Sequence, residues 1–81
     1  MLNGTIILAI SLGKFTVKGS DGFFRVISVN VADWNKLTKE FNIRKFQELV
    51  GKSVKLDTKK HRIYATDDKS GEGVPCSYGF A

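Results

Sequence analysis

Chemistry-bearing residues are scarce in this 81-residue chain, which holds one cysteine, one histidine and one proline. The lone Cys76 forms no intramolecular disulfide and rules out a cysteine-based zinc site. The lone His61 rules out a multi-histidine metal site and gives little support to a Ser-His-Asp arrangement. No acid–base pair or nucleophile motif stands out, so neither an enzyme nor a bound cofactor or metal is expected. Gly51-Lys52-Ser53 matches only the end of a phosphate-binding loop, because the upstream glycine is missing and a strand pattern follows. Long apolar runs are lacking too. Thr5–Leu12 is too short to span a bilayer, and no Lys or Arg precedes it as in a signal peptide. A cytoplasmic chain without a membrane partner is the expectation.

Acidic residues are also in short supply. Thirteen Lys and Arg face eight Asp and Glu, a net charge of +5, which suits a polyanionic partner, nucleic acid or an acidic protein, and equally a solubilising surface. The imbalance is local: residues 1–66 carry a net +7, whereas residues 67–81 carry a net −2. A hydrophobic content of 42% is ordinary for a folded domain. The length allows one domain near the lower limit for a self-sufficient core.

Period-two patterning dominates what is present. Gly4–Ile10 is a nearly continuous apolar run rich in β-branched residues and reads as a buried strand. Lys14–Lys18 alternates, with Phe15 and Val17 on one face and Lys14, Thr16 and Lys18 on the other. Gly19-Ser-Asp-Gly22 predicts a hairpin leading into a strand over Phe23–Val31, with Ile27, Val29 and Val31 inward. The period then changes. Asp33 suits an N-cap, and Trp34, Leu37 and Phe41 recur at helical spacing. The phase slips near Asn42, giving either two short helices or one kinked helix before Gly51. Ser53–Asp57 and His61–Thr66 read as two further strands, and the Gly-, Ser- and Asp-rich remainder reads as a tail. The expected organisation is a barrel domain over 1–66 and a flexible tail over 67–81.

The fold class is therefore mainly β with one helix (α+β), in the order β-β-β-α-β-β. Over residues 4–66 that order and alternation resemble the OB-fold family of single-stranded nucleic-acid-binding proteins, including compact phage- and plasmid-encoded examples. The resemblance is topological and implies a five-stranded barrel that holds a single strand, DNA ahead of RNA, on one face. Phosphate contacts are then expected from Lys14, Lys18, Arg25, Lys55, Lys59, Lys60 and Arg62, with Phe24 and Tyr64 as stacking platforms. Parity places Arg25 with the inward set, close to a strand end. The alternative is a protein-interaction module acting through the barrel edge or through Tyr78 and Phe80 in the tail. A homo-oligomer would lengthen a nucleic-acid groove, but nothing in the sequence marks its interface.

Overall fold

A computed structural model describes residues 2–41, 43–65 and 73–80. The chain runs through β1 (Leu2–Ser11), β2 (Lys14–Gly19), β3 (Phe24–Ser28) and α1 (Val31–Phe41), then a single 3-10 turn (Phe46–Leu49). It continues as β4 (Ser53–Asp57), β5 (Arg62–Ala65), β6 (Val74–Pro75) and β7 (Ser77–Phe80). All the pairings are antiparallel, in the order β6-β5-β4-β1-β2-β3-β7. The result is a small, nearly closed antiparallel barrel with one α-helix, compatible with an OB-like fold. No helix among the described residues is long and apolar enough to cross a membrane.

The expected count of five strands is corrected to seven among the described residues. The two additional strands lie in the segment read as a tail. β6 pairs with β5 (Ile63 opposite Val74), and β7 pairs with β3 (Ile27 opposite Tyr78). Only Cys76 separates β6 from β7, and its N–H donates to His61 O at 2.8 Å. One short run of chain thus lines both ends of the sheet and brings the barrel near closure. The physical signal is alternation: Val74 is buried and Cys76 and Tyr78 half-buried, while Pro75, Ser77 and Gly79 are exposed. The expected domain boundary after residue 66 lies outside the described residues, as does Thr66 itself.

β1 belongs to both halves of the barrel. Leu2–Thr5 pair with β4, and Gly4–Ser11 pair with β2. Irregularities between Ile6 and Leu8 and between Ala9 and Ser11 add the bend that such a shared strand needs. Gly4 leaves room for a buried side chain of β2, since a Cβ there would lie 2.5 Å from Val17 Cγ1.

The barrel interior holds Ile6, Phe15, Val17, Ile27, Val54, Leu56, Ile63 and Val74. Trp34, Leu37 and Phe41 project from one face of α1 into the same core, as their helical spacing predicts. The Trp34 and Phe15 rings meet at 6.1 Å. The helix starts earlier than expected because Asn30, not Asp33, caps it: Asp33 N–H donates to Asn30 Oδ1 at 2.8 Å. Val31 consequently lies in the exposed first turn of α1 instead of on the inner face of β3. Asn42, where the phase slip was placed, lies outside the described residues. Beyond it, Glu48 Oε2 accepts N–H bonds from Arg44 and Lys45 and closes the 3-10 turn.

Candidate nucleic-acid interface

Strand register decides which side chains share a face. Directly opposed residues in an antiparallel pair point to the same side, so register pairs can be followed across several strands. One such row on the outer face runs Tyr64–Lys55–Asn3 over β5, β4 and β1. The next runs Ser53–Thr5–Lys18–Phe24 over β4, β1, β2 and β3. Two lysines therefore lie between two aromatic rings, with Asn3, Thr5 and Ser53 filling the floor. From Tyr64 to Phe24 the face spans four strand spacings, roughly 19 Å along the sheet. An open groove of about 730 Å³ follows β1 here, lined by Asn3, Thr5, Ile7, Lys18, Ser20 and Lys55 among others. None of its lining residues carries a carboxylate.

Each ring is held differently. Phe24 is 43% exposed, and Lys18 Nζ lies 5.8 Å from its ring centroid, within cation–π range. Tyr64 is half-buried because its ring lies over Gly73, where a Cβ would approach the ring to 2.7 Å. Phe24 therefore presents the more open platform.

The remaining expected contacts are spread out. Lys14 is exposed on the same face of β2 as Lys18, roughly 13 Å further along the strand. Lys59 and Lys60 are exposed in the β4–β5 turn, which forms because Asp57 Oδ1 accepts both their backbone N–H groups. Those two bonds, that from Lys60 first, hold the Asp57 carboxyl below its usual range. Arg62 lies outward on β5, with Nη2 donating to Gly73 O at 3.2 Å.

Arg25 is not on this surface. It is 6% exposed on the inner face of β3, and its guanidinium donates to both carboxylate oxygens of Asp21. The pairing with Asp21 raises the Arg25 pKa and lowers that of Asp21. Gly19 leaves the space for this pair, since a Cβ there would lie 2.6 Å from Asp21 Oδ1 and 2.8 Å from Arg25 Nη1. Inward parity thus prevails over the nearby strand end.

Tyr78 is a barrel residue in this structure. Its hydroxyl donates to Thr58 O at 3.1 Å, and its ring stacks on His61 with centroids 5.2 Å apart. Phe80 occupies β7 opposite Arg25.

Asn3, Thr5, Ser20 and Ser53 are groove residues that the sequence reading lacks; for Thr5 the reason is that Gly4–Ile10 reads as a uniformly buried strand. In the structure Ile6 is buried, whereas Thr5 and Ile7 point outward. Phe23, exposed beside the β2–β3 turn, was also passed over. The doubled Phe23-Phe24 was the available signal, because consecutive strand residues point to opposite faces. Comparison with protein-family models, curated proteins and solved structures gave no match.

Proposed function

We propose that this chain is a non-enzymatic binding protein for single-stranded nucleic acid, which it takes across the outer face of β5, β4, β1, β2 and β3. The observation that carries the reading is the pair of register rows that sets Lys18 and Lys55 between Phe24 and Tyr64. Lysines in a groove without carboxylates would neutralise phosphates, and rings at its ends would offer base-stacking surfaces without demanding a sequence. Lys14 would extend the basic track along β2, and Lys59, Lys60 and Arg62 would extend it past β5. Arg25 is left out of this set because Asp21 holds it inside.

The test is an oligonucleotide titration, with single-stranded DNA, single-stranded RNA and a duplex, at several salt concentrations. Affinity for a single strand should fall with salt, and Lys18→Ala or Lys55→Ala should each flatten the log–log slope by about 0.7. Phe24→Ala should weaken binding by about 1–3 kcal/mol at every salt concentration. Absent or salt-independent binding would overturn the proposal.

A further inference from the structure

Phe24, the more open of the two rings, sits at the end of its ladder. It is the first residue of β3, and its pairing with Lys18 is the terminal rung between β2 and β3. Terminal rungs open most easily, because no further pair holds them on one side. The ring is 43% exposed, so its direction depends on how firmly the chain on either side of it is held.

The turn before β3 supplies that restraint. Asp21 Oδ1 accepts the Phe23 N–H at 3.1 Å. The same carboxylate takes two bonds from the Arg25 guanidinium, at 3.2 Å and 2.8 Å. Phe23 and Arg25 are the two chain neighbours of Phe24, so one carboxylate grips the chain on both sides of the ring. The grip is itself anchored. Gly22 N–H donates to Gly19 O at 3.0 Å and Gly19 N–H to Phe23 O at 2.9 Å, which closes the turn that carries Asp21. Arg25 is 6% exposed on the inner face of β3, so the barrel interior fixes the guanidinium.

Charge alone would give Asp21 the opposite effect on a polyanion. Its side chain is 34% exposed, and its turn adjoins Lys18 at the end of the groove. A carboxylate there repels phosphate, and removing it makes the chain more basic by one charge. The two roles therefore differ in sign.

We propose that Asp21 is a positioning residue for the nucleic-acid face: through Phe23 and Arg25 it holds Phe24 outward, ready to stack, before a strand arrives. This rests on the single-strand-binding reading above. A strand that had to order the ring itself would bind about two- to tenfold more weakly, the usual cost of immobilising one side chain.

The test measures fluorescence anisotropy with labelled single-stranded DNA and RNA oligonucleotides of one sequence. It compares the unaltered chain, Asp21→Ala, Phe24→Ala and the double variant, with circular dichroism confirming that each is folded at the assay temperature. Asp21→Ala should weaken binding about two- to tenfold although it removes a negative charge. The salt slope should not change, because no phosphate contact is lost. In the Phe24→Ala background the same substitution should cause no further weakening, since no ring remains to be held. Arg25→Met releases the other arm of the grip and should behave likewise, so the test survives if Asp21→Ala folds poorly. Unchanged or tighter binding by Asp21→Ala, or equal weakening with and without the Phe24 ring, would overturn the proposal and leave single-strand binding standing. Absent binding by the unaltered chain, or full affinity in Phe24→Ala, would instead remove the stacking reading and this inference with it.

Discussion

Arg25 Nη2 donates to Asp21 Oδ2 at 2.8 Å, joining the inner face of β3 to the turn that precedes it. The guanidinium is nearly buried, whereas the carboxylate keeps partial contact with solvent. Removing one member of such a pair leaves the other badly placed, and the effect depends on which is lost. Asp21→Ala removes the carboxylate that faces this buried cation and should lower the melting temperature by several degrees. Arg25→Met keeps much of the side-chain volume without the charge, so it should cost less than Asp21→Ala. Thermal unfolding of both variants checks the order, and the reverse order would contradict a buried charge held by Asp21.

Acid sensitivity follows from the depressed carboxylates. Arg25 lowers the pKa of Asp21, the Lys45 and Arg44 amides lower that of Glu48, and the Lys60 and Lys59 amides lower that of Asp57. A carboxyl depressed in the folded state contributes stability above its unfolded pKa and loses it as pH falls through the folded value. The ordinary values are 3.8 for Asp and 4.5 for Glu, so these contributions should be fully present by pH 6 and disappear progressively below about pH 4. Melting curves between pH 2 and pH 7 should show that decline. Asp57→Asn should remove part of the slope.

Gly4 gives a sterically defined prediction. A Cβ there would meet Val17 Cγ1 at 2.5 Å and Lys18 O at 3.2 Å, and Val17 is fully buried with little room to move. Gly4→Ala should destabilise the barrel by about 1–3 kcal/mol, the range for overpacking. Val17→Ala alone also destabilises, by leaving a cavity. Combined, the two should cost less than the sum of their separate effects, because each relieves the other. Chemical denaturation of the four proteins in the cycle measures that coupling, and strict additivity would mean that Gly4 and Val17 do not compete for the same space.

Local pattern carried some elements and tertiary context carried others. Lys14–Lys18 alternates without interruption, and β2 carries both lysines outward, although Thr16 between them is buried. Gly19-Ser-Asp-Gly22 turns as expected, with Gly22 at φ 87° while Gly19 stays in β2. β4 spans Ser53–Asp57 as read. β1 was harder, since Ile6-Ile-Leu-Ala-Ile10 looks the same whether both faces are covered or only one. What exposes Ile7 and Leu8 is the register shift between Ile6 and Leu8, which sets Leu8 opposite Thr16 on the outer side, and local composition does not record it. Val74–Phe80 was hidden for the opposite reason. Its apolar alternation is real, but Pro75 and Gly79 give it a turn-like composition, and its partners Ile63 and Ile27 are distant in sequence. Within the candidate groove, the individual cations and rings were visible. Their grouping was not, because it depends on the register that places Asn3 beside Lys55 and Thr5 beside Lys18.

Cys76 offers a direct readout of the strand that brings the barrel near closure. It lies between β6 and β7 with its backbone bonded to His61, and burial pushes the thiol pKa up to about 11. At neutral pH the reactive thiolate is therefore scarce, and alkylation should be much slower in the folded protein than in denaturant. Val74→Ala deletes two buried methyl groups from β6, which costs roughly 1.6 kcal/mol at about 0.8 kcal/mol each. If opening of this segment limits labelling, the rate should rise about tenfold in that variant. Lys14→Ala, an exposed change on β2, should leave the rate unaltered. Labelling of the native protein as fast as in denaturant would show that residues 74–80 do not hold their place between β5 and β3.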